Sequence, residues 1–138
     1  MEDMVIKAPV AMKMALGENP KSVYHIKNQT PVTRMATAAI IREQLAQARR
    51  YESDKRRSAE NSEFDEPEYD IKCEALIPVI RGELPVHFHA HRLDDIFTAR
   101  RIALEFNLNY VIIHGTQAHM AADLLALDET RVLCGPIL

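Results

Sequence analysis

The sequence lacks any apolar run that approaches the about 20 residues needed by a membrane-spanning helix, so we expect no segment that crosses a bilayer. Its first ten residues, MEDMVIKAPV, contain no basic stretch followed by an apolar one, and no signal peptide is predicted. A strong excess of one charge is also absent, because 17 Lys and Arg against 20 Asp and Glu give a net charge of −3. This balance argues against nucleic acid or an anionic membrane as a partner.

Cysteine is scarce, and the two cysteines, Cys73 and Cys134, lie far apart and form no CxxC pair. They are typical of reduced thiols in a cytoplasmic protein and not of a disulfide framework. Internal repeats are absent too. A length of 138 residues predicts one domain, and 47% apolar with 27% charged residues is typical of a globular protein.

Hydrophobic periodicity predicts eight elements in the order strand, helix, helix, strand, helix, strand, helix, strand. Thr30 and Pro31 are expected to cap and open the first helix. The charged segment 52–70 is predicted to be a flexible loop. We expect it to begin as a solvated extension of the preceding helix and to continue as an acidic loop. The predicted elements cover residues 10–16, 33–50, 71–80, 86–89, 92–106, 110–113, 118–127 and 131–134.

This alternation predicts an α/β fold with a parallel sheet and helical crossovers. Strand ends fall near residues 89, 114 and 135, which are 25 and then 21 residues apart. A TIM (β/α)₈ barrel of roughly 250 residues uses about 31 residues per unit, so four strands would form roughly half a barrel. A flavodoxin-like open sheet fits the length better, since it needs only about five strands. The pattern alone does not separate the two.

Histidines stand at the carboxyl ends of two predicted strands, at His89 and His114. In parallel α/β folds that edge carries the chemistry, and neutral imidazole is a common ligand of zinc-like metals. The segment PVHFHAHR also places His87, His89 and His91 at alternate positions, on one face if the strand continues that far. Histidines that are simply buried and hydrogen-bonded, or solvated, would produce the same pattern.

Four segments of the chain are similar to a known family of enzymes. The most specific pieces are GENPK, PVHFHAHRLDDI and IIHGTQA, within ALGENPKSVY at 15–24, TRMATAAIIREQLAQARRY at 33–51, ALIPVIRGELPVHFHAHRLDDIFTARRIALEFNL at 75–108 and VIIHGTQAHMAADLL at 111–125. In this order they resemble the central and late part of amidohydrolase-superfamily metal-dependent hydrolases, specifically the imidazolonepropionase-like branch.

The resemblance implies a (β/α)₈ barrel that holds one or two divalent metals, zinc being the metal expected. Such enzymes take metal ligands from an HxH on the first strand, one His on each of the fifth and sixth strands, and an Asp on the eighth. Matched residue by residue, the fifth-strand ligand is His89 and the sixth-strand ligand is His114. Lys13 or Glu18 occupies the fourth-strand region, and Lys13 is equally a strand lysine without a metal role.

The departures from the family's pattern are as informative as the matches. The first-strand HxH, the eighth-strand Asp and an N-terminal β-sandwich have no counterpart in this sequence. We therefore expect residues 1–138 to form a single partial amidohydrolase domain. Its parent enzyme would hydrolyse a C–N bond in a small linear or cyclic amide, and the chain would be inactive in isolation. The alternative is a non-enzymatic binding or assembly module with a flavodoxin-like open sheet.

Four βα units taken from a closed barrel would leave two unpaired sheet edges and one uncovered sheet face. Exposed edges template pairing with other chains, and large uncovered apolar surfaces are rare on monomers. We therefore expect a homo-oligomer, in which two copies cover each other's sheets. A monomer whose long helix from Thr33 onward folds over the open face is the alternative.

Overall fold

The computed structural model of the chain describes residues 4–136. All eight predicted elements are present, and one further helix lies between the first strand and the first predicted helix. Within 4–136, no helix is both long and apolar enough to cross a membrane. The elements are β1 (Met12–Ala15), α1 (Glu18–Ile26), α2 (Arg34–Glu60), α3 (Ile71–Ile80), β2 (Val86–Ala90), α4 (Leu93–Phe106), β3 (Tyr110–His114), a 3₁₀ turn (Ala118–Ala121) that leads into α5 (Ala122–Leu127), and β4 (Arg131–Cys134).

The four strands form one parallel sheet in the order β1-β2-β3-β4. Each strand is therefore added on the same side of the one before it, and right-handed crossovers then place the connecting helices on one face. A flavodoxin-like sheet would reverse its strand order at a switch point. The sequential order excludes that alternative and is the order found in a (β/α)₈ barrel.

The main core lies between the sheet and its helices. Val86 and Phe88 on β2 and Ile112 on β3 are fully buried on the face that meets α4. Ile96 and Ile102, one helical face of α4, are fully buried against them. Because side chains alternate along a strand, the intervening residues of β2 and β3 point to the opposite face, which corresponds to the interior of a barrel.

Helix α2 begins at a cap that differs from the one expected. The Thr33 side chain accepts a hydrogen bond from the Ala36 amide at 3.0 Å and closes the first turn. Thr30 and Pro31 lie before the helix and do not open it, so that prediction is wrong by three residues. Thr30 and Thr33 carry the same capping chemistry, and nothing in the sequence favours Thr33 over Thr30 as the cap.

The charged segment 52–70 is not a loop throughout, because α2 continues to Glu60, which agrees with the expected helix extension followed by a loop. Its extension is held against α3 by ion pairs of Glu52 with Arg81 and of Lys55 with Glu74. These cross-helix pairs explain why a polar sequence stays helical where no apolar stripe indicates a helix. Irregular chain is confined to residues 61–70, and the mobility expected there stays a prediction.

Helix α1 was not expected from the sequence, because Gly17 and Pro20 mark the segment as a turn. Gly17 does end β1, with a φ of +84°. Pro20, however, is the third residue of α1, within the first turn, where a missing N–H leaves no helical hydrogen bond unmade. Glu18 adds a negative charge at the helix N-terminus, where the helix dipole favours it.

Candidate metal centre

Three histidines converge at the carboxyl ends of β2 and β3. His89 lies in β2, His91 directly follows that strand, and His114 ends β3. One nitrogen from each ring lies within 4.8 Å of the other two. The ring centroids of His89 and His114 are 4.5 Å apart, and the rings of His91 and His114 stack at 4.7 Å. The predicted convergence of His89 and His114 is confirmed.

The backbone of His114 is what turns its ring toward His89. In the parallel register His114 is paired with Ala90, so regular alternation would send it to the helix side, opposite to His89. Its φ is +77°, in the left-handed region that residues other than glycine rarely adopt. This departure from strand geometry redirects the imidazole to the barrel side, at a cost of order 1–3 kcal/mol that the surrounding structure must offset.

Hydrogen bonds from neighbouring loops hold each ring. The Nδ1 atom of His114 lies 2.6 Å from the carbonyl oxygen of Gly135, which can only accept, so Nδ1 carries the proton and Nε2 keeps its lone pair. The Nδ1 atom of His91 lies 2.8 Å from Oγ1 of Thr116. Partners of this kind orient the rings of metal-binding histidines in proteins.

His89 is held differently and is the most buried of the three. Its side chain contacts Asn19, whose Nδ2 lies 3.1 Å from Nε2 of the imidazole. Burial lowers the pKa of His89, and electrostatic interaction with His114, His91 and Lys13 lowers it further. The neutral form is therefore favoured near pH 7, and a neutral imidazole is the form that binds a metal.

His91 is the residue that sequence reasoning left out of the site. The signal for it was present, because the HAH spacing places His91 two residues after His89. What the pattern did not contain was the position at which β2 ends. The strand stops at Ala90, and the chain carries His91 to the same edge as His114. His87 lies two residues earlier on the strand and is not part of the cluster.

Lys13 and Glu18, the two residues considered for the fourth-strand ligand, lie in different surroundings. Lys13 is on β1 in register with His87, on the side of the sheet that carries His89. Glu18 is not on a strand but opens α1, where its carboxylate pairs with Lys21 at 2.8 Å and with Arg34 at 2.7 Å. Glu18 does not join the histidine cluster. The choice between the two stays open.

The donor set of the cluster fits a zinc-like ion. Three imidazole nitrogens at one edge match the three protein ligands of a catalytic zinc site, which keeps a further position open for water or substrate. The lowered pKa of His89 and the acceptor that fixes the tautomer of His114 both favour such binding. These features define part of a parallel α/β barrel with a metal-competent histidine cluster at the carboxyl ends of its strands.

Comparisons with known proteins agree with this class. No family model matches the chain. It is 31% identical over 122 residues to the amidohydrolase tasK of Hapsidospora irregularis, an alignment that spans 83% of this chain and 12% of that protein. It also superposes on the crystal structure of an amidohydrolase from Thermotoga maritima MSB8 with a TM-score of 0.94 and 43% identity, over 99% of this chain and 35% of that one.

The chain therefore belongs to the amidohydrolase superfamily. The predicted fold class is confirmed, with four parallel strands and helices that match roughly half of a TIM barrel. The chain spans about a third of the solved amidohydrolase and a smaller share of the curated one. Membership of the imidazolonepropionase-like branch stays a prediction.

Proposed function

We propose that this chain supplies three histidine ligands of a zinc site in an amidohydrolase. That enzyme would hydrolyse the C–N bond of a small linear or cyclic amide. The observation that supports this most directly is the convergence of His89, His91 and His114 within 4.8 Å. His89 and His114 are the ligands that the family pattern implies. His91 is the third, and its position in the cluster is a property of the structure.

Each of the three residues has a definable task. His114 presents Nε2 because the carbonyl oxygen of Gly135 holds the proton on Nδ1. The Thr116 hydroxyl contacts Nδ1 of His91 and orients that ring, and because a hydroxyl can donate or accept, it leaves both tautomers of His91 open. His89 favours the neutral form because burial lowers its pKa and electrostatic interaction with His114, His91 and Lys13 lowers it further. A zinc ion bound there would lower the pKa of a bound water to about 7 and polarise the substrate carbonyl.

The chain in isolation is proposed to bind metal but not to catalyse. The resemblance implies an HxH and an Asp from other barrel strands, and the Asp serves as the base in that family. We assign no catalytic residue within the chain. Its free cysteines, Cys73 and Cys134, support a cytoplasmic location, and its charge balance gives no support to nucleic acid or membrane as a partner.

Zinc titration of the metal-free chain by isothermal calorimetry tests this function. We expect one ion per chain, and a loss of affinity of at least about tenfold in His89→Ala, His91→Ala and His114→Ala, since each removes one of three ligands. His119→Ala is the matched control, because His119 is exposed on the 3₁₀ turn and lies outside the cluster. Its affinity should equal that of the wild type.

Two results would contradict the proposal. One is a wild-type chain that folds yet binds no zinc, cobalt or manganese. The other is zinc binding that His119→Ala weakens as much as the cluster variants do. Turnover of a panel of small amides by the purified chain alone would contradict the claim that it is inactive in isolation.

A further inference from the structure

We propose that Asn19 is a positioning residue that sets the tautomer of His89 and so decides which ring nitrogen faces the metal. The inference rests on the proposed function and extends it to a residue outside the histidine cluster. It begins from one contact, Nδ2 of Asn19 at 3.1 Å from Nε2 of His89. In the part of the chain that the structure describes, this is the hydrogen bond made by the His89 ring.

The segment that carries Asn19 is fastened to the end of β2. The amide of Leu16 donates to the carbonyl oxygen of His89 at 3.0 Å, so backbone and side chain of His89 are both contacted by the connection from β1 to α1. Gly17 then turns the chain with a φ of +84°. A Cβ at Gly17 would lie 2.8 Å from Oδ2 of Asp95, so the turn packs directly against α4.

An ion pair with a buried carboxylate links the start of α1 to α2 and α4. Asp95 is 4% exposed, and both of its carboxylate oxygens accept from Nε of Arg34, at 3.2 and 3.3 Å. Nη2 of the same guanidinium lies 2.7 Å from Glu18, the residue before Asn19. Arg34 of α2 therefore bridges Asp95 of α4 and Glu18 of α1, next to Asn19. These contacts position the backbone that carries Asn19, and the Asn19 amide itself contacts His89.

An amide side chain can satisfy Nε2 in two ways, and the two have opposite consequences. When Nδ2 of Asn19 donates, Nε2 is unprotonated and the proton lies on Nδ1, which then cannot bind a metal. When the amide turns by 180°, Oδ1 accepts from Nε2–H, and Nδ1 becomes the nitrogen with a free lone pair. Because Nε2 is occupied by Asn19 in either case, Nδ1 of His89 is the atom left for the ion.

The proposal therefore assigns the donating orientation to the metal-free chain and the accepting orientation to the zinc-bound chain. His114, by contrast, faces a carbonyl that can only accept, and it needs no such change. The two rings consequently offer different nitrogens, Nδ1 from His89 and Nε2 from His114. Residue 19 must be able to accept a hydrogen bond for the zinc-bound form to be stable.

Two substitutions distinguish a side chain at position 19 that accepts a hydrogen bond from one that only fills the same space. Asn19→Asp keeps the size and can only accept, whereas Asn19→Leu keeps the volume and can do neither. Asn19 is exposed and opens a helix, where an aspartate is well tolerated, so both variants should fold. Asn61→Leu, at the exposed end of α2 and remote from the cluster, is the matched control.

The first measurement uses the metal-free chain and ¹⁵N chemical shifts of the imidazole nitrogens. We expect His89 to be the Nδ1–H tautomer in the wild type, the Nε2–H tautomer in Asn19→Asp and a mixture in Asn19→Leu, with Asn61→Leu identical to the wild type. Unchanged His89 shifts in both Asn19 variants would overturn the proposal. This arm does not depend on zinc, so it decides the role of Asn19 even where the zinc titration fails.

The second measurement is zinc affinity. We expect Asn19→Leu to bind zinc about 10- to 100-fold more weakly than the wild type, the usual effect of losing a partner that orients a ligand. Asn19→Asp should bind at least as tightly as the wild type. Equal affinities for Asn19→Leu and the wild type would overturn the inference while leaving the zinc site itself intact.

Discussion

The backbone φ of His114 decides on which side of the sheet its imidazole lies. Strand alternation would place this imidazole on the opposite side of the sheet from His89, and only the φ of +77° brings the two rings together. Strain of this kind at a non-glycine residue is typical of functional positions. Sequence reasoning identified both histidines from their places at strand ends, but it contained no information about this angle.

The strain at His114 predicts an unusual order of stability among its variants. Glycine tolerates a left-handed φ and alanine does not, so His114→Gly should be more stable than His114→Ala by roughly 1 kcal/mol. Urea unfolding of the two proteins measures the difference. At the regular strand position Ile113 the order should reverse, with the alanine variant the more stable. His114→Ala equal to or more stable than His114→Gly would show that the angle carries no strain.

The buried carboxylate of Asp95 predicts a pH dependence that is opposite to the usual one. Burial raises the pKa of Asp95 by more than Arg34 lowers it, while Asp94 raises it and Arg92 lowers it to smaller extents. The folded chain therefore binds this proton more tightly than the unfolded chain does. The stabilisation is fully present below the unfolded value of about 3.9 and is lost as the pH rises through the raised folded pKa.

Urea unfolding of the wild type and of Asp95→Asn, measured between about pH 3.5 and 7 at intervals of about 0.5 pH units, checks this pH dependence. The free energy of unfolding of the wild type minus that of the variant should fall as the pH rises. Asp94→Asn is the neighbouring control. Burial opposes ionisation of Asp94, but its contact with Arg92 leaves the pKa lowered. The free energy of unfolding of the wild type minus that of Asp94→Asn should therefore rise with pH. A difference for Asp95 that grows with pH would contradict the prediction.

At the scale of elements, the sequence was most informative where the apolar pattern is strong. Helices α3 and α4 and strands β2 and β3 lie within a residue or so of their predicted positions, because their apolar faces meet the core directly. Strand β4 also lies where it was predicted, although only Val132 packs against the core. Helix α1 has no buried residue, and the outer part of α2 is held by ion pairs to α3. Both depend on contacts distant in sequence, which periodicity cannot reveal. The same holds for Asn19, whose role depends on α1.

Hydrogen exchange should divide the charged segment 52–70 into two parts. Amides of 52–60 are bonded within α2, whose polar face pairs with α3, and we expect them to exchange slowly apart from the frayed last turn. Amides of 61–69 lie in mostly exposed irregular chain and should exchange rapidly, apart from those of Asn61, Glu63 and Phe64, which donate hydrogen bonds. Mass spectrometry of peptides on either side of Asn61 measures this. Slow exchange throughout 61–69 would contradict the expected mobility.

At the scale of the whole molecule, the sheet has one unpaired edge at β1 and another at β4, within the residues described. Parallel strands are normally covered on both faces, yet Arg131, Leu133 and Cys134 of β4 are exposed, with Leu133 at 56%. Beside β1 lies an apolar groove of about 540 Å³, lined in part by Met12 and Leu76. Both edges therefore present surface that a neighbouring strand would cover.

We propose that, in the absence of further barrel strands, two copies of the isolated chain associate with β4 of each alongside β1 of the other. A twofold axis parallel to the strands keeps all of them parallel, and two sheets of four then give the eight strands of a closed barrel. Sedimentation at low micromolar concentration should give a species of twice 15.7 kDa. Leu133→Lys places a charge on the β4 edge and should yield monomers, whereas Leu127→Lys, on the exposed surface of α5, should not. A 15.7 kDa wild type without concentration dependence, or a Leu133→Lys chain that still dimerises, would show that the copies do not meet at these edges.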